Sequence, residues 1–426
     1  MIMNEWTLQS SYPIVFVDGP PSSSNSNNVT ISQVSYNNGS DSSKWVVPLR
    51  ILTEGDISTQ NLWLLPLNTL TIPHNQSQWI ILNNEAMGYY RVVYDERLID
   101  SLFRQLTSNH ERIPASSRSQ LFDDYFTLAF NTDFVNLETA LTLSKYLEKE
   151  TKYSVWVPVF KHMKTPLKYF DGLPMSQSMQ AYWYPRVEAV ITSIGIQQGK
   201  TEAGLSVLFR TELLNFACML DMDFCIQYAQ ELFSEWLADP SQNRIPLDLR
   251  TLIYCTALKN GSAEVFEFAY QQFDDESDEK LKLQILNGLI CRESLADLAR
   301  LLKEVIITQS LDQNDAVNIL ASLASKPSGR EALIAFIDEN ADVMIDFFDG
   351  PLTMAAIVYE MSTYYCTVEQ LQSFQIFLLR HSDIFMDPEV SWIVDLSLDT
   401  IRNNIQWMEN FGQRISDWFL NNSNTY

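Results

Sequence analysis

The sequence predicts a mostly α chain, with a small β-sandwich over residues 1–95 and a large α-helical solenoid over residues 96–426. Three observations predict it. Short β-branched and aromatic runs, separated by Pro, Gly, Asn and Ser clusters, fill the first ninety or so residues. After Asp95 the apolar period changes from two to about 3.6. The helical stretches that follow are joined by short polar breaks and include no single long apolar bundle, the pattern of stacked helix pairs of HEAT or armadillo type.

Strands are expected at Ile14–Val17, Val29–Tyr36, Trp45–Leu52, Asn61–Leu64, Thr69–Ile72, Trp79–Asn83 and Gly88–Tyr94. The insert from Gly19 to Asn27 has the composition of an exposed loop. Helical faces are expected at Ala140–Tyr146, Leu205–Phe216, Phe224–Trp236, Ala316–Leu323 and Val390–Trp407, and on Leu295, Leu298, Leu301, Leu302, Val305 and Ile306. Asp239-Pro240, Lys259-Asn260-Gly261 and Lys326-Pro327-Ser328-Gly329 break them.

The formal charge of −24 disfavours nucleic acid, whose phosphates need clustered Lys and Arg, and docking on anionic lipid. No apolar stretch approaches the roughly 18 residues of a membrane span, so direct membrane insertion by this chain is not expected. Met1 to Trp6 does not read as a signal peptide, and Asn421 to Tyr426 does not read as a lipid-anchor signal. A hydrophobic content of 46% and an aromatic content of 12% indicate a well-packed globular protein.

Four of the five cysteines, Cys218, Cys225, Cys255 and Cys291, fall in one acidic, Leu-rich helical region. Two pairs so spaced point to an oxidising compartment. Residues seven apart on an unbroken helix lie about 10.5 Å apart along its axis, whereas a disulfide needs Cα atoms within about 7 Å. Either Cys218 and Cys225 are bridged, and Leu220 to Asp223 forms a turn between antiparallel helices, or they are buried thiols on one helix face. Cys366 follows Tyr364-Tyr365 in apolar sequence and reads as a buried thiol. Sequons at Asn28, Asn38, Asn75, Asn260 and Asn421 are candidate glycosylation sites and agree with a secretory origin.

The residues from Leu213 to Cys218, with Cys225, then Phe233-Ser234-Glu235-Trp236 and Pro246 to Cys255, resemble the C-terminal domain of the aminopeptidase N family of zinc metalloaminopeptidases. Further motifs follow the family's order. Met3 to Gln9 with Tyr12 to Val15 resembles the seam after the catalytic domain. Gly88 to Asp95 is similar to the strand leading into the helical domain, Arg118 to Asp124 to its opening helix, and Asn404-Ile405-Gln406-Trp407 through Trp418-Phe419 to its last helix. The resemblance covers essentially the whole chain. It implies disulfides Cys218–Cys225 and Cys255–Cys291. Two departures stand out: Asp221 and Ser11 occupy positions where the family usually has Gly. Asp tolerates the left-handed backbone that Gly suits, at some cost.

The chemistry of that family is missing from these residues. Its zinc site needs H-E-x-x-H on a helix, with the Glu as general base. His74, His110, His162 and His381 include no pair four apart, and His110-Glu111-Arg112-Ile113-Pro114 ends in a helix-disrupting Pro. Trp407-Met408-Glu409-Asn410 mimics the family's amine-binding segment but lies in the expected last helix, so Glu409 reads as a solvated helix residue. The acidic run from Asp274 to Glu279 lacks the Gly and final Glu of a calcium loop and reads as a solvated interhelical loop. Asp123 and Asp124, adjacent in a helix, diverge by about 100° and make no acid–base pair.

The expectation is therefore a chain without catalytic or metal residues of its own, inactive in isolation, with zinc belonging to a missing catalytic domain. The resemblance implies that it supplies a concave helical bowl over that domain's peptidase site and contacts peptides there. Its partners would be peptides and the catalytic domain, in cis or in trans. It would reach the secretory pathway, extracellular space or plasma-membrane surface when joined to a targeted N-terminal part. Two alternatives remain: a catalytically empty peptide- or protein-binding module, and a chain docking non-covalently on a separate peptidase.

Overall fold

The computed structural model describes residues 2–20, 27–37, 43–55, 59–75, 77–197 and 204–423. The chain is mostly α, with small sheets near its start and a helical body after them. It divides into two compact units, one comprising Met1–Lys164 with Pro185–Ser206 and the other Thr165–Tyr184 with Val207–Tyr426.

In the first unit the strands are β1 (Pro13–Asp18), β2 (Asn28–Ser35), β3 (Val47–Thr53), β4 (Gln60–Leu64), β5 (Leu70–Pro73), β6 (Ile80–Ile81) and β7 (Arg91–Tyr94). They form one sheet ordered β5-β2-β1-β7 and another ordered β4-β3-β6. β1 is central, antiparallel to β2 and parallel to β7, with Ile14, Val15 and Val17 fully buried. Along β2 the alternation is regular: Val29, Ile31, Gln33 and Ser35 face inward. The buried Gln33 amide is satisfied by main chain. It donates to Trp45 O at 2.7 Å and accepts from Trp45 N–H at 3.0 Å.

β6 is shorter than the run Trp79–Asn83 suggested. Asn83, Glu85 and Ala86 adopt φ of 54°, 64° and 55°, which ends the ladder. Asn83 holds this turn, donating to Gly88 O at 2.8 Å and accepting from Gly88 N–H at 2.7 Å. A Cβ on Gly88 would lie 2.3 Å from the Tyr90 ring, so the turn also requires that glycine. Strands give way to helix at Asp95, whose carboxylate caps helix Glu96–Asn109 through Leu98 N–H and accepts from Gly19 N–H at 2.7 Å. Helix Ala115–Asn131 packs on β7, and Tyr94 N–H donates to Tyr125 Oη. The opening helices thus share one core with the sheets.

Ser11 has φ 76°, and its buried hydroxyl has no partner. The left-handed backbone costs a non-glycine residue about 1–2 kcal/mol. Glycine gives part of that back in unfolded-chain entropy. Ser11→Gly is expected to stabilise the chain by about 1 kcal/mol, read as a higher urea midpoint.

The second unit is a ladder of short-linked helices. Helix Arg250–Lys259 packs on Glu279–Leu289, which touches Gln313–Ala324, which packs on Pro351–Ser362, which packs on Ser391–Trp407. On the alternate positions Leu295–Leu302 packs on Pro327–Phe347. Contact between every second helix is the signature of stacked helix pairs. Gly288 permits the closest approach: a Cβ there would lie 2.3 Å from Tyr254 Cβ. The expected face on Leu295, Leu298, Leu301 and Leu302 continues through a π-helical turn, Lys303–Ile307, that buries Val305 and Ile306.

Candidate functional site

In the second unit Cys218 and Cys225 form a disulfide with Cα atoms 5.4 Å apart, and Cys255 and Cys291 another with Cα atoms 5.1 Å apart. The first closes a helix–turn–helix between Gly204–Met219 and Asp223–Ala238. Its turn has Schellman bonding: Met222 N–H donates to Ala217 O at 3.1 Å and Asp221 N–H to Cys218 O at 3.0 Å. Asp221 takes the left-handed residue of that motif, with φ 49°. Both positions where the chain departs from the family's Gly are therefore left-handed. At Asp221 the cost is partly offset, because its carboxylate meets Lys259 Nζ at 2.7 and 2.9 Å and its carbonyl accepts from Gln180.

The histidines are dispersed. His74 is buried with Nε2 3.0 Å from Gln78 O, and burial lowers its pKa. His110 caps the end of helix Glu96–Asn109 against Tyr146. His162 Nε2 lies 2.8 Å from Asp123, and His381 Nε2 lies 2.7 Å from Asp338. Among the described residues no three His, Cys, Asp or Glu side chains converge as a metal site. Of the sequon asparagines, Asn75 is exposed, Asn28 lies in β2, Asn421 in helix Gln413–Ser423 and Asn260 before the helix that Ser262 caps, and Asn38 lies outside the described residues. Glu409 is exposed on a π-helical turn, Met408–Gly412. Glu276 and Asp278 cap the two helices that flank the acidic run. Cys366 is buried, donates to Tyr169 O, and has a thiol pushed up to about 11 by burial.

Asp123 and Asp124, adjacent in helix Ala115–Asn131, share one cation. Arg91 Nη1 lies 2.8 Å from a carboxylate oxygen of each. Asp123 also meets Lys161 at 2.7 Å. Burial opposes its ionisation, but His162, Lys161 and Arg91 together hold it well below the usual carboxylate range. Asp124 accepts from Val92 N–H at 3.0 Å. Its complete burial outweighs Arg91 and that N–H, pushing it up to about 7. With Asp123 ionised, Arg91 keeps a counter-charge when Asp124 is protonated. A carboxyl whose folded pKa exceeds its unfolded one stabilises the fold while protonated. The contribution is full below about 4 and is lost as pH rises to about 7. Asp124→Asn is expected to remove a slope of up to about 1.4 kcal/mol per pH unit in that window, measured as urea midpoint against pH.

A second cluster, in the helical unit, was not read from the sequence. Arg330 is 6% exposed, its guanidinium 5.4 Å from the Tyr364 ring centroid and 5.5 Å from that of Tyr365, with Nη1 donating to Ala324 O. Lys168 Nζ lies 4.1 Å over the Tyr364 ring and donates to Thr363 Oγ1. Burial lowers the pKa of both Lys326 and Arg330, and Asp171 acts on each from a distance. Among the described residues no carboxylate lies within ion-pair distance of Lys326 or Arg330. In a chain of net charge −24 that is a local inversion. The signal was present: Lys326 and Arg330 are four apart, with no acid three or four residues from either. Such a group can take a carboxylate against cationic and aromatic faces.

The comparisons agree with the fold. The family model described as the ERAP1-like C-terminal domain matches residues 79–403. Aminopeptidase Ey of Gallus gallus is 26% identical over 431 residues, covering 98% of this chain and 44% of the relative. Aminopeptidase N of Homo sapiens is 24% identical, covering 99% and 44%. The thyrotropin-releasing hormone-degrading ectoenzyme of Mus musculus is 23% identical, covering 98% and 40%. The chain thus spans less than half the length of these relatives. It belongs to the family of ERAP1-like C-terminal domains, as the C-terminal region of an aminopeptidase N-like protein.

Proposed function

We propose that this chain is the non-catalytic C-terminal part of an aminopeptidase N-like zinc metalloaminopeptidase, and that its helical unit caps the peptidase site and contacts peptide substrates during N-terminal trimming. The observation that carries the reading of peptide contact is the Lys326–Arg330–Tyr364 group, in which a buried guanidinium, a half-buried ammonium and a half-buried ring have the chemistry to take a peptide's carboxylate. The acidic remainder favours the opposite end, because a field of net charge −24 attracts a free amino group and basic side chains. Zinc and the nucleophilic water belong to the catalytic half. The two disulfides, the sequons and a relative named as an ectoenzyme support passage through the secretory pathway.

The test uses the chain alone and together with a catalytic half supplied in trans. Alone, no hydrolysis of an aminoacyl substrate and no stoichiometric zinc are expected. Turnover or bound zinc in the isolated chain would sink the proposal. With the catalytic half present, Arg330→Met is expected to weaken cleavage of long peptides that end in a free carboxylate, and to spare dipeptide-sized substrates. Equal loss on amidated and free-acid peptides would remove the carboxylate contact.

A second reading, a catalytically empty peptide-binding module, is favoured by the same group, since this chain builds all of it. Tight binding of free-acid peptides by the isolated chain, with no gain on adding a catalytic half, would select it.

A further inference from the structure

We propose that the exposed face of helix Ser391–Trp407, with the turn before it, docks a basic amphipathic helix of a partner protein.

The helix buries Ile393, Val394, Ser397, Ile401 and Asn404, and it packs on helices Pro351–Ser362 and Val368–Arg380. Its other face is not the polar one that a solvated helix presents. Trp392 is 58% exposed, and Leu396, four residues on and on the same side, is exposed with it. Met386, in the turn before the helix, is exposed as well. The Trp392 ring is held in place. Its Nε1 donates to Glu389 O at 3.1 Å, and Asp387 O accepts from Val390 N–H and Ser391 N–H, which fixes the turn that carries Glu389. A large ring fixed in the open loses little freedom when a partner covers it, the property of an interface anchor.

The charge around these side chains sets the chemistry of the partner. From Ser382 to Ile401 the chain holds five acids, Asp383, Asp387, Glu389, Asp395 and Asp399, all exposed, and no Lys, Arg or His. Among the described residues, Asp399 alone of these has an ion pair, with Arg402 at 2.7 Å. Asp387 and Glu389 precede the helix and suit its N-terminal dipole. Asp395 lies beyond the first turn, where that field has faded, and flanks the Trp392–Leu396 row. A second copy would set the same acids against their own kind, and an anionic lipid surface would be repelled. A helix with apolar residues four apart and Lys or Arg beside them answers both the ring and the acids. From Trp392 to the exposed Asn403 the face runs about 16 Å, the length of roughly three turns.

The probe is a synthetic helix of about four turns built from leucine and lysine, with leucines spaced i, i+3 and i+4, titrated calorimetrically into the full chain. Binding at one site is expected. Trp392→Ser should weaken it about 30-fold, and the pair Glu389→Gln, Asp395→Asn about tenfold. Urea midpoints should not move, because these side chains are exposed. Trp392→Phe, which keeps a ring, should retain most of the affinity. The pair Asp274→Asn, Asp275→Asn on helix Ala263–Asp275 makes the same change in net charge and should leave binding intact. Absence of binding overturns the proposal. Binding that survives Trp392→Ser, or that falls as far with the Asp274 and Asp275 pair, is attraction to net charge alone and overturns it too. So does equal binding of a leucine–glutamate helix of the same pattern. A dimer in sedimentation that Trp392→Ser dissociates assigns the face to a second copy and overturns it as well.

Discussion

Glu150→Leu is expected to destabilise the chain by about 3–5 kcal/mol, because it strands a buried positive charge. The side chains of Arg118 and Glu150 are 3% and 0% exposed. Arg118 Nε lies 2.7 Å and Nη2 3.1 Å from the two Glu150 oxygens, a bidentate fork. Arg118 Nη1 also donates to His110 O and Ile113 O, and Glu150 Oε1 accepts from Lys152 N–H at 2.9 Å. The pair is thus buried and hydrogen-bonded at each Arg118 nitrogen, and removing Glu150 leaves the guanidinium without a counter-charge. The double variant Arg118→Met, Glu150→Leu should recover most of the loss, since two apolar groups of similar volume need no counter-charge. The readout is the urea midpoint followed by tryptophan fluorescence, to which Trp156 contributes from beside the pair, its Nε1 donating to Glu150 O. If the double variant is as unstable as Glu150→Leu, the cost arises from packing and not from the orphaned charge.

The pair also shows what one sequence can and cannot reveal. Arg118 sat inside a recognisable motif, yet nothing marked Glu150 as its partner. They are 32 residues apart, on either side of Leu137–Thr142 and the turn after it. Period and turn chemistry are local, so they placed the strands, the helices and the change at Asp95 well. Failures arose where long-range contact decides. Helix geometry set Asp123 and Asp124 in different directions, and nothing local showed that Arg91 on β7 meets both. β6 was overextended because the left-handed turn at Asn83, Glu85 and Ala86 uses residues that commonly sit elsewhere.

The candidate site divides in the same way. The cysteines could be read because their spacing, flanking motifs and chemistry are all written along the chain. Lys326 and Arg330 became informative only once the fold brought Tyr364 and Tyr365 against them. A charge pattern in sequence suggests a cluster, but its burial and missing carboxylate are three-dimensional facts.

Replacing both Cys255 and Cys291 by Ala is expected to cost about 4 kcal/mol, more than the same change at Cys218 and Cys225, at about 2.5 kcal/mol. The reason is loop length. The two bridges close sequence separations of 36 and 7, and the entropy withheld from the unfolded chain grows with the logarithm of the loop. The native contacts argue the same way. The longer bridge joins helix Arg250–Lys259 to the end of Glu279–Leu289, where Gly288 sits against Tyr254, and Trp236 stacks on Tyr254 at 5.0 Å. Its loss loosens a junction of the helical ladder. By contrast, the shorter bridge spans a turn already held by Met222 N–H to Ala217 O and by the Asp221–Lys259 pair. Reduction of the wild-type chain opens both bridges and should therefore lower its thermal midpoint further than either variant, with the Cys255/Cys291 variant next and the Cys218/Cys225 variant least affected. Equal losses from the two variants would show that the shorter bridge holds more than its own turn.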